Sequence, residues 1–246
     1  MNFSDMKIQA INAVKWYFNR NWNIEDMMNS DEIPDEVLRT LKKVYLTLLC
    51  AMLCSTFGSF MHLISVAGGK FTVLSYVASL IWIYFTPPGR LNVRFLLLML
   101  VAYSFGASVS AFTNYIFKVE QCYVLGLLAG ITIGIGNFLL RAFLSSERSY
   151  IYIGTLRHCD VLIISAIAFT LLDVHSALYM ITIHIVQILF LGYLVIYSQE
   201  ILYNANIGHI NLVNCTFTVF FHLPGIVIHA ARLYLQGAEI EQHEHN

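Results

Sequence analysis

"VYLTLLCAMLCSTFGSFMHLISV", residues 44–66, runs for 23 residues without an Asp, Glu, Lys or Arg. An α-helix needs about 20 apolar residues to cross the hydrocarbon of a bilayer, so this stretch reads as a transmembrane helix. The rest of the chain repeats the pattern. Further apolar runs at 72–86, 94–117, 122–144, 149–172, 176–197 and 213–235 are separated by short polar turns. The run 72–86 is short, and "LPG" at 223–225 interrupts the last one. The expected fold is an all-α membrane protein, with six transmembrane helices plus a broken or re-entrant seventh C-terminal segment. Backbone groups released by that break are tolerable only if they are buried in protein or line a wet cavity.

Composition agrees. The chain has 246 residues, of which 58% are hydrophobic and 12% charged, with a mean hydropathy of +0.67. Soluble domains carry about 25% charged residues, roughly twice as many. A net charge of -1 and the lack of a basic patch argue against nucleic acid as a partner. Cys50, Cys54, Cys122, Cys159 and Cys215 form no CxxC, and four of them fall within or at the edge of spans. Packing is the expected role there, and no disulfide framework is expected.

Lys7, Lys15, Arg20, Arg39, Lys42 and Lys43 precede the first span, which predicts a cytosolic N-terminus. Arg90, Arg94, Arg141 and Arg148 then fall on the cytosolic side, against Lys70 and Lys118 on the other. Three regions follow from this reading. Residues 1–43 form a cytosolic N-terminal amphipathic segment, with Ile8, Ile11, Val14 and Phe18 at helical spacing. Residues 44–235 form the transmembrane bundle, and 236–246 a short acidic tail. "PDEVLRTLKK", 34–43, places acids first and lysines last, as the helix dipole favours, so a helix is expected to run from there straight into the first span.

Polar and small residues inside the spans mark the candidate sites. Gly126, Gly130 and Gly134 stand four apart in the fourth span and make a flat strip for helix packing. Arg157 and Asp160 lie three apart in the fifth, where they form a candidate intramembrane ion pair or snorkel together toward one end. His222 and His229 lie seven apart around the Pro224–Gly225 break.

"LRTLKKVYLTLL" (38–49) and "ERSYIYIG" (147–154) resemble the Bax inhibitor-1 family, the proteins with a transmembrane Bax-inhibitor motif. The first matches that family's entry to its first span, and the second its Arg-Ser-Tyr opening of the fifth. Gln199, Gly208 and the broken final segment agree with its tail, so the resemblance runs from about 38 to 235. It implies a multi-pass protein of the endoplasmic reticulum membrane that suppresses cell death, acts in luminal Ca2+ homeostasis and leaks Ca2+ in a pH-sensitive way. It also implies, as partners beyond the lipid bilayer, Ca2+ and anti-apoptotic Bcl family proteins or other endoplasmic reticulum membrane proteins.

The family resemblance further implies a central pair of aspartates that share a proton, one ending the sixth span and one in the last segment. With Gln199 fixing the register, Tyr197 and His222 stand at those positions. A histidine gains positive charge on protonation, where an aspartate loses negative charge. Tyrosine supplies no carboxylate, and the nearest replacement is Glu200, almost one turn beyond Tyr197. Tyr197, His222 and Glu200 are therefore the candidate gate and pH sensor, and the Ca2+ leak is expected to be altered or lost. Two other readings compete. A membrane zinc hydrolase would draw ligands from His184, His222 and His229, but neither HExxH nor HxxxH occurs. A non-conducting membrane scaffold would need no permeation path. The expectation is a regulator, not an enzyme, with no cofactor.

Overall fold

The computed structural model describes residues 32–65, 69–117, 121–172, 174–206 and 211–222, with 225, 226 and 228. The amphipathic segment before residue 32, His229 and the acidic tail lie outside the described residues. Those described form seven α-helices and no strand, apart from one isolated bridge between Glu32 and Glu147. The helices are α1 (Asp35–Ser65), α2 (Lys70–Phe85), α3 (Leu91–Phe117), α4 (Gln121–Leu144), α5 (Arg148–Leu172), α6 (Val174–Asn206) and α7 (Leu212–Phe221). Among the described residues four stretches are long and apolar enough to cross a membrane: Asp35–Ile64, Leu91–Ile116, Cys122–Leu144 and Ile181–Leu202. At 25 residues α5 also has the length, whereas α2 with 16 and α7 with 10 are shorter apolar helices.

Helix α1 is one continuous rod of 31 residues, about 46 Å at 1.5 Å per residue. It starts where the acids Asp35 and Glu36 meet the positive end of the helix dipole. Just before it, the Ile33 amide donates to the Ser146 carbonyl (3.0 Å), tying the start of α1 to the α4–α5 connection. The bundle is built around α1, which packs against α3, α4, α6 and α7. Helix α2 rests on α3, and α5 on α4 and α6.

Two glycines set the α1–α3 distance. A methyl group at Gly58 would meet the Tyr103 carbonyl oxygen at 2.3 Å, and one at Gly106 would meet the Ser55 carbonyl oxygen at 1.8 Å. Only hydrogen fits at either position. In lipid, where apolar surface gives helices little reason to associate, such close approach and interhelical hydrogen bonds hold a bundle together. Four such bonds join pairs of hydroxyls: Ser59 with Ser110 at 2.7 Å, Thr56 with Thr132 at 3.0 Å, Ser108 with Thr72 at 3.0 Å and Ser104 with Ser75 at 3.2 Å. The glycines of α4 face α6. Gln187 donates to the Gly126 carbonyl (3.3 Å) and its amide lies over Gly130, while Leu191 lies against Gly134.

Candidate functional site

The candidate gate lies where α1, α4, α6 and α7 meet. Asn211 caps α7, its side chain accepting from the Asn214 amide at 3.2 Å. One turn on, the Thr216 hydroxyl donates to the Leu212 carbonyl at 2.9 Å and lies 3.3 Å from the Val44 carbonyl of α1. Helix α7 ends at Phe221 with His222 as its C-cap residue. The Ile226 amide donates to the His222 carbonyl at 3.2 Å.

Tyr197 is buried on α6, and its hydroxyl donates to the Cys215 carbonyl of α7 at 3.2 Å. Tyr193, one turn earlier on α6, stacks on Tyr197 with ring centroids 5.9 Å apart and presents its ring to His222 at 5.0 Å, edge on. Tyr193 thus joins the two gate candidates in one aromatic row. Tyr45 of α1 closes the row from behind. It is wholly buried, stacks on Phe138 at 4.4 Å and donates to the Leu194 carbonyl at 2.7 Å. Glu200 is half-buried on α6, just beyond the row. The row offers buried phenols and one half-buried imidazole, a setting that binds α7 and presents no pair of carboxylates.

Tyr193 does not stand out in the sequence. An aromatic residue on an apolar helix looks like ordinary core, and only the fold shows what it bridges. Arg94, which the sequence places among the charges of the cytosolic side, is buried in the first turn of α3. There Nη2 donates to the Asn214 side-chain oxygen at 2.7 Å, while Nε and Nη1 are buried and find no acceptor among the described residues.

The "ERSYIYIG" stretch forms a clamp beside the row. Arg141 of α4 lies across Gly154, where a methyl group would come within 2.7 Å of its side chain. Its guanidinium sits 5.4 Å from the centre of the Tyr150 ring and donates to that hydroxyl at 3.1 Å. Tyr152 faces the other way, and its hydroxyl accepts from Gln199 of α6. Arg157 and Asp160 stand elsewhere, both exposed on α5. His184 is buried on α6, nine residues before Tyr193 and so roughly 13 Å further along the helix, well short of His222.

No protein-family profile matches the chain, and no solved structure matches it. Curated proteins do. Over 221 residues it is 26% identical to Bax inhibitor 1 of Arabidopsis thaliana, covering 89% of this chain and 90% of that protein. Over 225 residues it is 26% identical to Bax inhibitor 1 of Oryza sativa subsp. japonica, covering 91% and 90%. The chain is a divergent relative of the Bax inhibitor 1 proteins. A shorter match, 23% over 141 residues, joins it to a probable Bax inhibitor 1 of Paralichthys olivaceus. The matches to the two plant Bax inhibitor 1 proteins cover nearly the whole bundle, α1 through α7, so the sequence likeness is not confined to one motif.

Proposed function

We propose that this protein is a membrane regulator of cell death of the Bax inhibitor 1 type, seated in the endoplasmic reticulum, whose Ca2+ leak is strongly reduced or lost. In this reading the N-terminus is cytosolic, six helices cross the membrane, and α7 with the residues after it forms a seventh segment that dips into the bundle. It acts through protein contacts in the membrane, with anti-apoptotic Bcl family proteins or other endoplasmic reticulum proteins, and has no enzymatic step.

One observation carries the reading. Tyr197 and His222 stand where the family resemblance places two aspartates, and the buried Tyr193 bridges them in a row hydrogen-bonded to α7. In a carboxylate pair, loss of a shared proton builds like-charge repulsion that can drive a seam apart. Two phenols and an imidazole build none, and on protonation the imidazole becomes a cation that repels Ca2+. The relatives' name, Bax inhibitor, supports the cell-death role.

The test is survival of cells in which Bax is expressed. The native chain, produced at the level of the Arabidopsis relative, is expected to protect them. Equal death with and without it contradicts the proposal.

A further inference from the structure

Helix α5 has two sharply different faces. Ile151, Thr155 and Cys159 are buried toward the bundle. On the opposite side Ile153, Arg157, Asp160 and Ile164 are all exposed, at intervals of four, three and four residues, the spacing of a seam that mates with another helix. The charges sit at the middle of that seam. Asp160 is twelve residues from Arg148 and twelve from Leu172, about 18 Å from either end of the helix. That places its short side chain beyond snorkelling reach of either interface of a hydrocarbon core about 30 Å thick. A carboxylate facing lipid at such depth is costly, so the face calls for a protein cover that meets it with charge.

We infer that this face mates with α5 of a second copy, Arg157 of each chain pairing with Asp160 of the other. The inference needs α5 to lie in the bilayer, as in the reading above, and is independent of whether the chain conducts Ca2+. Two copies in one membrane share their orientation, so a two-fold axis along the membrane normal sets their α5 helices side by side and parallel. Arg157 and Asp160 are then offset by three residues, about 4.5 Å of rise, which the long arginine side chain spans. One acid and one base on a single seam are self-complementary under that axis, so both charges of both chains are met at once by charge-assisted hydrogen bonds. Any other helix would have to supply an acid and a base of its own at matching heights. A second copy has them by identity.

The experiment uses the full chain carrying two different affinity tags and produced in one membrane. The native chain is expected to capture its differently tagged copy. Arg157→Asp, with two acids on the seam, and Asp160→Arg, with two bases, should each lose self-capture by about tenfold or more, and the two together should recover it because each supplies what the other lacks. A pairing confined within one chain predicts no recovery in the mixture. An independent arm avoids charge changes: Ile164→Cys should form an inter-chain disulfide in membranes, while Tyr84→Cys, on the exposed side of α2, should not. Undiminished self-capture by both single variants, a mixture no better than either alone, or no disulfide at Ile164→Cys would each overturn the inference. If instead a tag-accessible glycosylation map shows α5 outside the bilayer, it is the membrane topology that fails, a result distinct from loss of capture.

Discussion

Gly106 of α3 lies so close to Ser55 of α1 that an added methyl group would meet the Ser55 carbonyl oxygen at 1.8 Å. Backbone cannot yield as a side-chain tip can. Gly106→Ala should therefore push α1 and α3 apart and destabilise the bundle by about 3 kcal/mol, at the upper end of overpacking costs. Gly89→Ala, in a turn where an added methyl group meets nothing within 4 Å, should be nearly neutral. Thermal unfolding of the two variants in the same detergent checks this. Equal melting temperatures would mean that the α1–α3 approach is looser than described.

Asn214 should matter more than its exposed position on α7 suggests, because its oxygen receives the buried Arg94 guanidinium at 2.7 Å. Asn214→Ala removes that acceptor and should cost about 1.5–3 kcal/mol, the range for hydrogen bonds to charged groups. In an Arg94→Met background no charge is left to strand, so the same substitution should cost little. A double-mutant cycle by thermal unfolding reads the coupling directly. Additive effects would mean that the bond does not hold α7 in place.

Tyr45→Phe deletes only the hydroxyl that reaches the Leu194 carbonyl and keeps the ring stacked on Phe138. A loss of about 1 kcal/mol is expected, the net worth of one such bond. Tyr45→Ala should cost about 3–5 kcal/mol, as for other large buried aromatic side chains, since it also opens a cavity against α4 and α6. Similar losses for the two variants would place the stability in the bond and not in the packing.

Much of the architecture is legible in the hydropathy of the chain, because each long apolar run has only one way to satisfy its backbone in lipid. The start of α1 at Asp35 could be read from Pro34, Asp35 and Glu36, and the turn after α2 from "TPPGR". What stayed hidden depends on two helices at once. Gly58 and Gly106 each stand alone in their helices, with no second glycine four residues away to make a strip, and only their meeting across α1 and α3 gives them a role. Tyr193 was hidden in the same way, as one aromatic residue among many until the fold set it between Tyr197 and His222. Arg94 misled by its position beside a loop, where arginines usually remain in water.

Orientation is open to a direct check. A glycosylation acceptor introduced beside Lys118, in the α3–α4 connection, should be modified on the luminal side, and one introduced at the N-terminus should not. Modification at the N-terminus instead would invert the topology proposed here.

Ca2+ efflux from liposomes, followed between acidic and neutral pH, tests the central claim most directly. The native protein should be nearly silent at every pH, because Tyr197 and His222 supply no carboxylate pair. His222→Asp alone should remain weak, and Tyr197→Asp combined with His222→Asp should gain a pH-dependent leak. Robust native efflux would contradict the account, and if Glu200→Gln abolished that efflux, Glu200 would be the working carboxylate in place of the missing pair.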